Sequence, residues 1–120
     1  MSDYRKLKVW EKAHALTLQT YAATKSFPRE ELYGLTSQLR RASVSIGSNI
    51  AEGTGRRSPR EFAYFLRVAI GSAHEIQYQY LVARDLGWLS PAEHAALDRS
   101  AGEVRAMLDA LHASITKDQR

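Results

Sequence analysis

The chain has 120 residues, of which 44% are hydrophobic and 25% are charged, and its formal net charge at neutral pH is +4. This size and composition indicate one soluble globular domain, residues 1–120. The absence of cysteine excludes disulfides, thiolate metal sites and a cysteine nucleophile. No apolar run reaches the length of about 18 residues that a membrane-spanning helix needs, and no signal peptide is evident, so we expect a cytoplasmic protein.

The first predicted helix covers about residues 5–25, and its apolar residues recur at alternating steps of four and three. This spacing is typical of helices that pack in a bundle. A second stripe runs along the same helix, and its members are Trp10, His14, Leu18 and Tyr21. Aromatic residues on a second face are enriched where subunits meet, so Trp10, His14 and Tyr21 indicate an oligomer interface. The alternative is a broad core face within one subunit.

The second predicted helix covers about residues 29–53 and follows Pro28, which suits a first turn. Its seam of predicted buried positions comprises Leu32, Leu35, Leu39, Ala42, Ile46 and Asn49. We expect Asn49 to be a structural hydrogen-bonding residue, because a single polar side chain in a buried seam often fixes the register between helices. Gly53 is predicted to end the helix.

The third and fourth predicted helices cover about residues 59–86 and 91–116. Each starts with a capping pattern, in which a serine precedes proline directly and glutamate by three positions; Ser58 begins one pattern and Ser90 the other. Gly87 marks the end of the third helix. The third helix also carries aromatic residues away from its seam, which are Tyr64, Phe65 and Tyr78. Because the connections are short, neighbouring helices are expected to run antiparallel, which predicts an all-α, up-down-up-down four-helix bundle.

Three kinds of reactive site can be tested by residue spacing. The segment SIGSNIAEGTGRRS, residues 45–58, lacks the lysine of a phosphate-binding loop and continues a helix instead of following a strand. A di-metal bundle needs two Glu-x-x-His motifs, and only Glu11 with His14 forms one. The serines, histidines and acidic residues show no spacing typical of a nucleophile with its base. We therefore expect no catalytic residue, no metal and no cofactor, and we predict that the protein is not an enzyme.

Positive charge is concentrated in the middle of the chain. The stretch from Arg40 to Arg67 carries six arginines against two glutamates, and a smaller basic cluster near the N-terminus includes Lys6 and Lys8. The six arginines are Arg40, Arg41, Arg56, Arg57, Arg60 and Arg67. Because arginine forms bidentate hydrogen bonds with phosphate, these basic residues are candidate nucleic-acid contacts. The alternative, which the sequence leaves equally open, is that the arginines pair with Glu52, Glu61 and Glu75 within and between helices.

Several motifs resemble those of one family. They comprise Leu7-Lys8-Val9-Trp10, Phe27-Pro28, Gln38-Leu39-Arg40-Arg41-Ala42, Asn49-Ile50-Ala51-Glu52-Gly53, Phe65-Leu66 and Gly71-Ser72. From residue 4 to about residue 115, the chain is similar to four-helix-bundle proteins encoded within 23S rRNA intervening sequences, which are related to the accessory variability proteins of diversity-generating retroelements. A departure is Gly47, where the family usually has proline. The resemblance implies a helical bundle that assembles into a ring-like homopentamer with a basic surface, and it implies no known catalytic activity.

The sequence therefore favours a non-enzymatic, oligomeric bundle that binds RNA or DNA through its basic residues. The alternative is a protein-interaction scaffold whose oligomer docks a protein partner such as a polymerase. In that case the aromatic stripe of the first helix would be the contact surface. Neither interpretation involves a membrane.

Overall fold

Residues 3–117 of the chain are described by the computed structural model, and they form four α-helices. The helices are α1 (Lys8–Thr24), α2 (Leu35–Thr54), α3 (Pro59–Asp85) and α4 (Pro91–Lys117), and short 3₁₀ helices lie at Tyr4–Lys6 and Arg29–Glu31. No β-strand occurs within this part of the chain. The predicted all-α, four-helix class is therefore confirmed. Across the described residues, no helix combines the length and the hydropathy needed to cross a membrane.

Hydrogen bonds between helices show the direction in which neighbours run. Arg40 Nε on α2 donates to Thr24 Oγ1 on α1 at 2.9 Å, and Thr17 Oγ1 on α1 donates to the Ser43 carbonyl on α2, also at 2.9 Å. From the first bond to the second, the bonded residue lies closer to the N-terminus of α1 and closer to the C-terminus of α2. These two helices are therefore antiparallel. Short turns join α2 to α3 and α3 to α4 and reverse the chain in the same way. The start of α1, the α2–α3 turn and the end of α4 consequently lie at one end of the bundle.

Most of the core is formed by apolar residues at the helical spacing that the sequence predicts. Large side chains that are almost completely buried include Leu16, Leu39, Ile46, Leu66, Ile76, Val104 and Leu108. A buried hydrogen bond lies among them, because the Tyr80 hydroxyl is 2.6 Å from Thr20 Oγ1. Thr20 Oγ1 itself donates to the Leu16 carbonyl at 2.8 Å, so Tyr80 is the donor to Thr20. Burial of each large apolar side chain contributes about 1.5 to 3 kcal/mol, which makes this core the main source of stability.

The starts of α1 and α2 lie three and six residues later than predicted, because a 3₁₀ turn precedes each helix. Gly34 has φ −112° and ψ −119°, outside the helical region, so no continuous helix runs from Arg29–Glu31 into α2. Glu31 Oε1 instead accepts a hydrogen bond from the N–H of Leu35, the first residue of α2, at 3.0 Å. Leu32, a predicted seam residue, lies before this break and is 49% exposed.

Asn49 does not occupy the buried seam position predicted for it. It is half-buried, and the neighbouring Ile50 is fully buried and takes the core position. Asn49 lies three residues and Ile50 four residues after Ile46, so both share its helix face. Ile50 takes the buried position because its larger apolar side chain gains more from burial. Asn49 Nδ2 donates to the carbonyl and hydroxyl oxygens of Ser45 at 2.8 and 3.0 Å. Because Ser45 Oγ also accepts from Ser72 Oγ on α3 at 2.9 Å, Asn49 reaches the neighbouring helix through Ser45.

Gly53 lies inside α2 and does not end it, since the helix extends to Thr54 and Gly55 follows as its cap. Gly53 is buried against α3. A Cβ atom built on it would lie 2.7 Å from Phe62 Cδ1 and 3.1 Å from Phe65 Cβ. The glycine at this position is therefore required by the close approach of two helices, and not by a turn.

Candidate nucleic-acid interface

The candidate site is built at the turn between α2 and α3. Ser58 Oγ accepts a hydrogen bond from the Glu61 N–H at 3.2 Å and donates to Glu61 Oε1 at 3.3 Å, so it caps α3. Pro59 occupies the first turn of the helix, where its missing N–H removes no helical hydrogen bond. These contacts set the direction of the first turn of α3. Arg57 and Arg60 are consequently held beside the partial positive charge of the helix N-terminus.

The arginines at this turn differ in their partners. Arg57 and Arg60 are exposed, and no carboxylate oxygen among residues 3–117 lies within 4.0 Å of either guanidinium group. Arg56, in contrast, has its Nη2 atom 2.7 Å from Glu52 Oε1, one helical turn earlier. An exposed ion pair of this kind is weak. Of the acidic partners considered from the sequence, only Glu52 forms an ion pair within this part of the chain.

Aromatic rings lie among the arginines on the first turns of α3. The rings of Tyr64 and Phe65 meet edge to face, with their centroids 5.1 Å apart. The Arg56 guanidinium lies 4.9 Å from the Phe65 centroid and that of Arg67 lies 5.8 Å from the Tyr64 centroid, both within the cation–π range of about 6 Å. An open cleft of about 610 Å³ lies beside these rings, and Thr116 of α4 contributes to its lining. We name this region the α3-start surface, comprising Arg56, Arg57, Arg60, Tyr64, Phe65 and Arg67.

Arg40 and Arg41 do not join the α3-start surface. At a rise of 1.5 Å per residue, they lie about 20 Å along α2 from its C-terminus. Arg40 is held by α1, since its Nε donates to Thr24 Oγ1 and its guanidinium lies 4.8 Å from the centroid of the Tyr21 ring. Arg41 is exposed and lines a groove with Glu75, without an ion pair among the described residues. The predicted group of arginines is therefore divided into two separate parts.

Lys6 and Lys8 lie near the start of α1, at the same end of the bundle as the α2–α3 turn. Both are exposed, and neither forms an ion pair within the part of the chain that the structure describes. These two lysines therefore add positive charge to the end of the bundle that carries the α3-start surface.

The aromatic stripe of α1 has both packed and exposed members. The rings of Trp10 and His14 are stacked, with centroids 5.0 Å apart and an interplanar angle of 7°. Trp10 is half-buried against α2, and its Nε1 atom lies 3.4 Å from the position that a Cβ atom on Gly47 would take. Farther along α1, Leu18 is 58% exposed and Tyr21 is 39% exposed. The stripe thus packs within the subunit at one end and faces solvent at the other.

The positions of the titratable side chains bear on two questions, which are metal binding and the packing of the core. No group of three or more histidine, aspartate or glutamate residues between positions 3 and 117 is placed to hold a metal ion. Burial in the core raises the pKa of Tyr80 to about 12, far from the α3-start surface. The Tyr80 hydroxyl forms a hydrogen bond with Thr20 inside the core, so its role there is structural.

In the sequence, Tyr64 is recognisable as an aromatic residue away from the seam, but nothing in that prediction connects it with the arginines. The residue spacing does indicate that Tyr64 lies beside the arginines, since Arg60, Tyr64 and Arg67 follow one another at steps of four and three. Residues at this spacing share one face of a helix. The aromatic part of the site could therefore have been found from the sequence.

The fold is an all-α four-helix bundle, and exposed arginines lie beside two aromatic rings at the start of α3. A family model described as 23S rRNA-intervening sequence protein matches residues 5–110, and the chain belongs to this family, which confirms the resemblance in the sequence. A solved structure with the same fold is a protein with unknown function from the S23 ribosomal protein family of Bacteroides thetaiotaomicron VPI-5482. It is 20% identical with a TM-score of 0.81, and the alignment covers 87% of this chain and 94% of that chain. The comparison with curated proteins gives no match.

Proposed function

We propose that this protein is a non-enzymatic, oligomeric helical bundle that binds RNA or DNA through phosphate contacts from the α3-start surface. The observation that carries the proposal is the pair Arg57 and Arg60, which are exposed at a helix N-terminus and have no carboxylate within 4.0 Å among residues 3–117. A cation without an internal partner is available to bind an external anion. Because the description of the family refers to 23S rRNA, structured RNA is the first ligand to test.

Arginine suits phosphate, because the planar guanidinium group donates two parallel hydrogen bonds to phosphate oxygens. The start of α3 adds a partial positive charge at the same place. Phosphate contacts position a nucleic acid but do not read its bases, so we expect weak sequence specificity. Each contact releases condensed counterions, so we also expect binding to weaken steeply as salt is added.

The direct test replaces Arg57 and Arg60 together by glutamine and measures binding to a labelled, structured RNA by fluorescence anisotropy. The matched control is Lys25→Gln with Arg29→Gln, which removes two positive charges from exposed residues at the opposite end of the bundle. We expect the Arg57→Gln and Arg60→Gln pair to weaken binding about tenfold to a hundredfold at about 0.1 M salt, because two phosphate contacts are lost. The control pair should change binding little.

Two outcomes would count against this proposal. Equal weakening by both pairs of substitutions would show that overall net charge, and not the α3-start surface, attracts the RNA. If the unmodified protein at micromolar concentration shows no salt-sensitive binding, the proposal fails as a whole. Circular dichroism of each variant separates these outcomes from a loss of helical structure.

We propose further that copies of the chain associate through the outer faces of α1 and α2, in the ring-like pentamer that the family resemblance implies. Exposed apolar side chains on these helices support association: Leu18 is 58% exposed, Val44 42% and Tyr21 39%. Covering them together with the neighbouring Trp10 and His14 would remove apolar area from water, which favours association. If the chain is a monomer, the same stripe is free for a protein partner such as a polymerase, and the scaffold interpretation becomes the better one.

A further inference from the structure

We propose that Tyr64 is a stacking platform for an unpaired base, so that the α3-start surface prefers single-stranded segments to duplex. This inference rests on the proposed function and specifies its ligand as an unpaired nucleotide of RNA or DNA. Tyr64 contacts the face of the base, and the arginines on either side contact the neighbouring phosphates.

The ring of Tyr64 is accessible and held in place. Its side chain is 53% exposed, and the Phe65 ring meets it edge to face at an interplanar angle of 81°. Phe65 is half-buried, and the Arg56 guanidinium lies 4.9 Å from its centroid. Both rings belong to the first turns of a capped helix and not to a loop. The aromatic surface is therefore preformed, which reduces the entropy lost on binding.

Positive charges lie on both sides of this ring. Arg60 precedes Tyr64 by one turn and Arg67 follows it by one turn on the same helix face. The two arginines are separated by about 10 Å along the helix axis. Their side chains are flexible, so the two guanidinium groups can reach the phosphates on either side of one nucleotide. Arg67 lies 5.8 Å from the Tyr64 centroid, near the limit of about 6 Å for a cation–π contact, so its guanidinium is only loosely held by the ring.

The shape of the surface favours an unpaired base. The cleft beside Tyr64 measures about 610 Å³, within the range of about 300 to 1,000 Å³ that small-molecule sites occupy. In a duplex both faces of an internal base are covered by its neighbours, so only an unpaired or terminal base offers a face to tyrosine. Aromatic rings beside a positively charged groove are the combination that proteins use to bind single strands.

Two other tyrosines show that exposure alone does not define this site. Tyr33 is 93% exposed and Tyr78 is 67% exposed, yet no arginine between residues 3 and 117 lies over either ring. Tyr78 belongs to the same helix as Tyr64, about four turns farther along. It is therefore a matched control for the loss of an exposed aromatic side chain from α3.

The experiment compares Tyr64→Ala and Tyr64→Phe with Tyr78→Ala in the whole chain. The probes are a single-stranded RNA oligonucleotide with 2-aminopurine at a central position, a DNA oligonucleotide of the same sequence, and each of these annealed to its complement. Anisotropy of an end label measures affinity, and the fluorescence of 2-aminopurine reports stacking of the base. Circular dichroism shows that each variant is folded.

We expect Tyr64→Ala to weaken single-strand binding about fivefold to 150-fold and to abolish the change in 2-aminopurine fluorescence. Tyr64→Phe should retain both properties, because a phenyl ring still stacks. Duplex binding should be nearly unaffected by either substitution, and Tyr78→Ala should behave as the unmodified protein does. The single strand that binds more tightly identifies the sugar that the surface accepts, whereas the stacking role depends on the Tyr64 variants alone.

The outcomes separate this inference from the proposed function. If Tyr64→Ala binds every probe as Tyr78→Ala does, or weakens single strand and duplex equally, the stacking role is contradicted. The phosphate contacts still stand in that case, provided that the Arg57→Gln and Arg60→Gln pair weakens binding. If the unmodified protein binds none of the probes, the proposed function fails and the stacking role fails with it.

Discussion

Tyr80 and Thr20 form a hydrogen-bonded pair between α3 and α1 in the core of the bundle. Burial raises the pKa of Tyr80 to about 12, because the phenolate anion is poorly solvated there. The pKa of tyrosine in an unfolded chain is about 10, so the unfolded state loses this proton first as the pH rises. We therefore expect the stabilisation from this group to be fully present below about pH 10. Between about pH 10 and pH 12 the free energy of unfolding should fall by about 2 to 3 kcal/mol.

Urea unfolding from neutral pH to about pH 12 tests this expectation, with Tyr80→Phe as the comparison. The phenylalanine variant has no proton to lose at this position, and Thr20 keeps its bond to the Leu16 carbonyl. At neutral pH the variant should be less stable by about 1 kcal/mol. Its stability should fall less steeply than that of the unmodified protein above about pH 10. Parallel curves for the two proteins would contradict the assigned pKa.

Asn49 shows where prediction at the residue scale stops. The buried seam of α2 could be predicted at Leu39 and Ile46, because apolar side chains at helical spacing have one face to occupy. Helical spacing alone does not identify the next member, since both Asn49 and Ile50 fit that face; Ile50, with the larger apolar side chain, is the buried one. The role of Gly53 could not be predicted, because the atoms that require a glycine belong to another helix.

The contact between α2 and α3 at Gly53 gives a prediction at the element scale. In Gly53→Ala the new Cβ atom would lie 2.7 Å from the Phe62 ring and 3.1 Å from Phe65 Cβ, so the Phe62 ring or the two helices must shift. We expect this overpacking to cost about 1 to 3 kcal/mol against a gain in helix propensity of about 1 kcal/mol, so the variant should be less stable by up to about 2 kcal/mol. Thermal unfolding followed by circular dichroism measures the change.

Gly71→Ala is the matched control for this substitution. Gly71 lies in the interior of α3, is exposed, and has no atom within 4 Å of a built Cβ. Only the helix-propensity effect operates there, so this variant should be more stable than the unmodified protein by up to about 1 kcal/mol. If Gly53→Ala were stabilising as well, the close approach of α2 and α3 at that point would be refuted.

Helix starts could be predicted where the capping interactions are local. Ser58 and Ser90 each lie within three residues of the groups that they bond, so the sequence alone identifies the starts of α3 and α4. The break before α2 could not be predicted in this way. A glycine within a helical pattern is usually tolerated, and Leu32 and Leu35 on either side of Gly34 continue the apolar spacing, so the pattern does not reveal the break.

The candidate site was likewise only partly predictable. Arg56, Arg57 and Arg60 are close in sequence around one turn, so their proximity follows directly from the chain. The separation of Arg40 follows from the length of a helix, but its contact with Tyr21 of α1 depends on how two helices pack. The cleft beside Tyr64 likewise requires α4, which no local pattern in α3 reveals.

At the scale of the whole molecule, the aromatic stripe of α1 predicts that copies of the chain associate. We expect light scattering to give the mass of a pentamer, a multiple of the 13.5 kDa of one chain. Leu18→Glu should shift the protein toward smaller species, because a charge would be buried in the interface. Leu86→Glu is the matched control, since Leu86 at the end of α3 is 56% exposed and Leu18 is 58% exposed. A monomeric unmodified protein would rule out this role for the stripe and favour a protein partner.

The salt dependence of RNA binding tests the central claim most directly. The slope of the logarithm of the binding constant against the logarithm of salt concentration counts the phosphate contacts. Loss of Arg57 and Arg60 removes two contacts, so this slope should become shallower by about 1.4 for a single strand and about 1.8 for a duplex. The slope for the Lys25→Gln and Arg29→Gln pair should match that of the unmodified protein. An unchanged slope after Arg57→Gln and Arg60→Gln would show that these arginines do not contact phosphate, and would contradict the assignment of the α3-start surface.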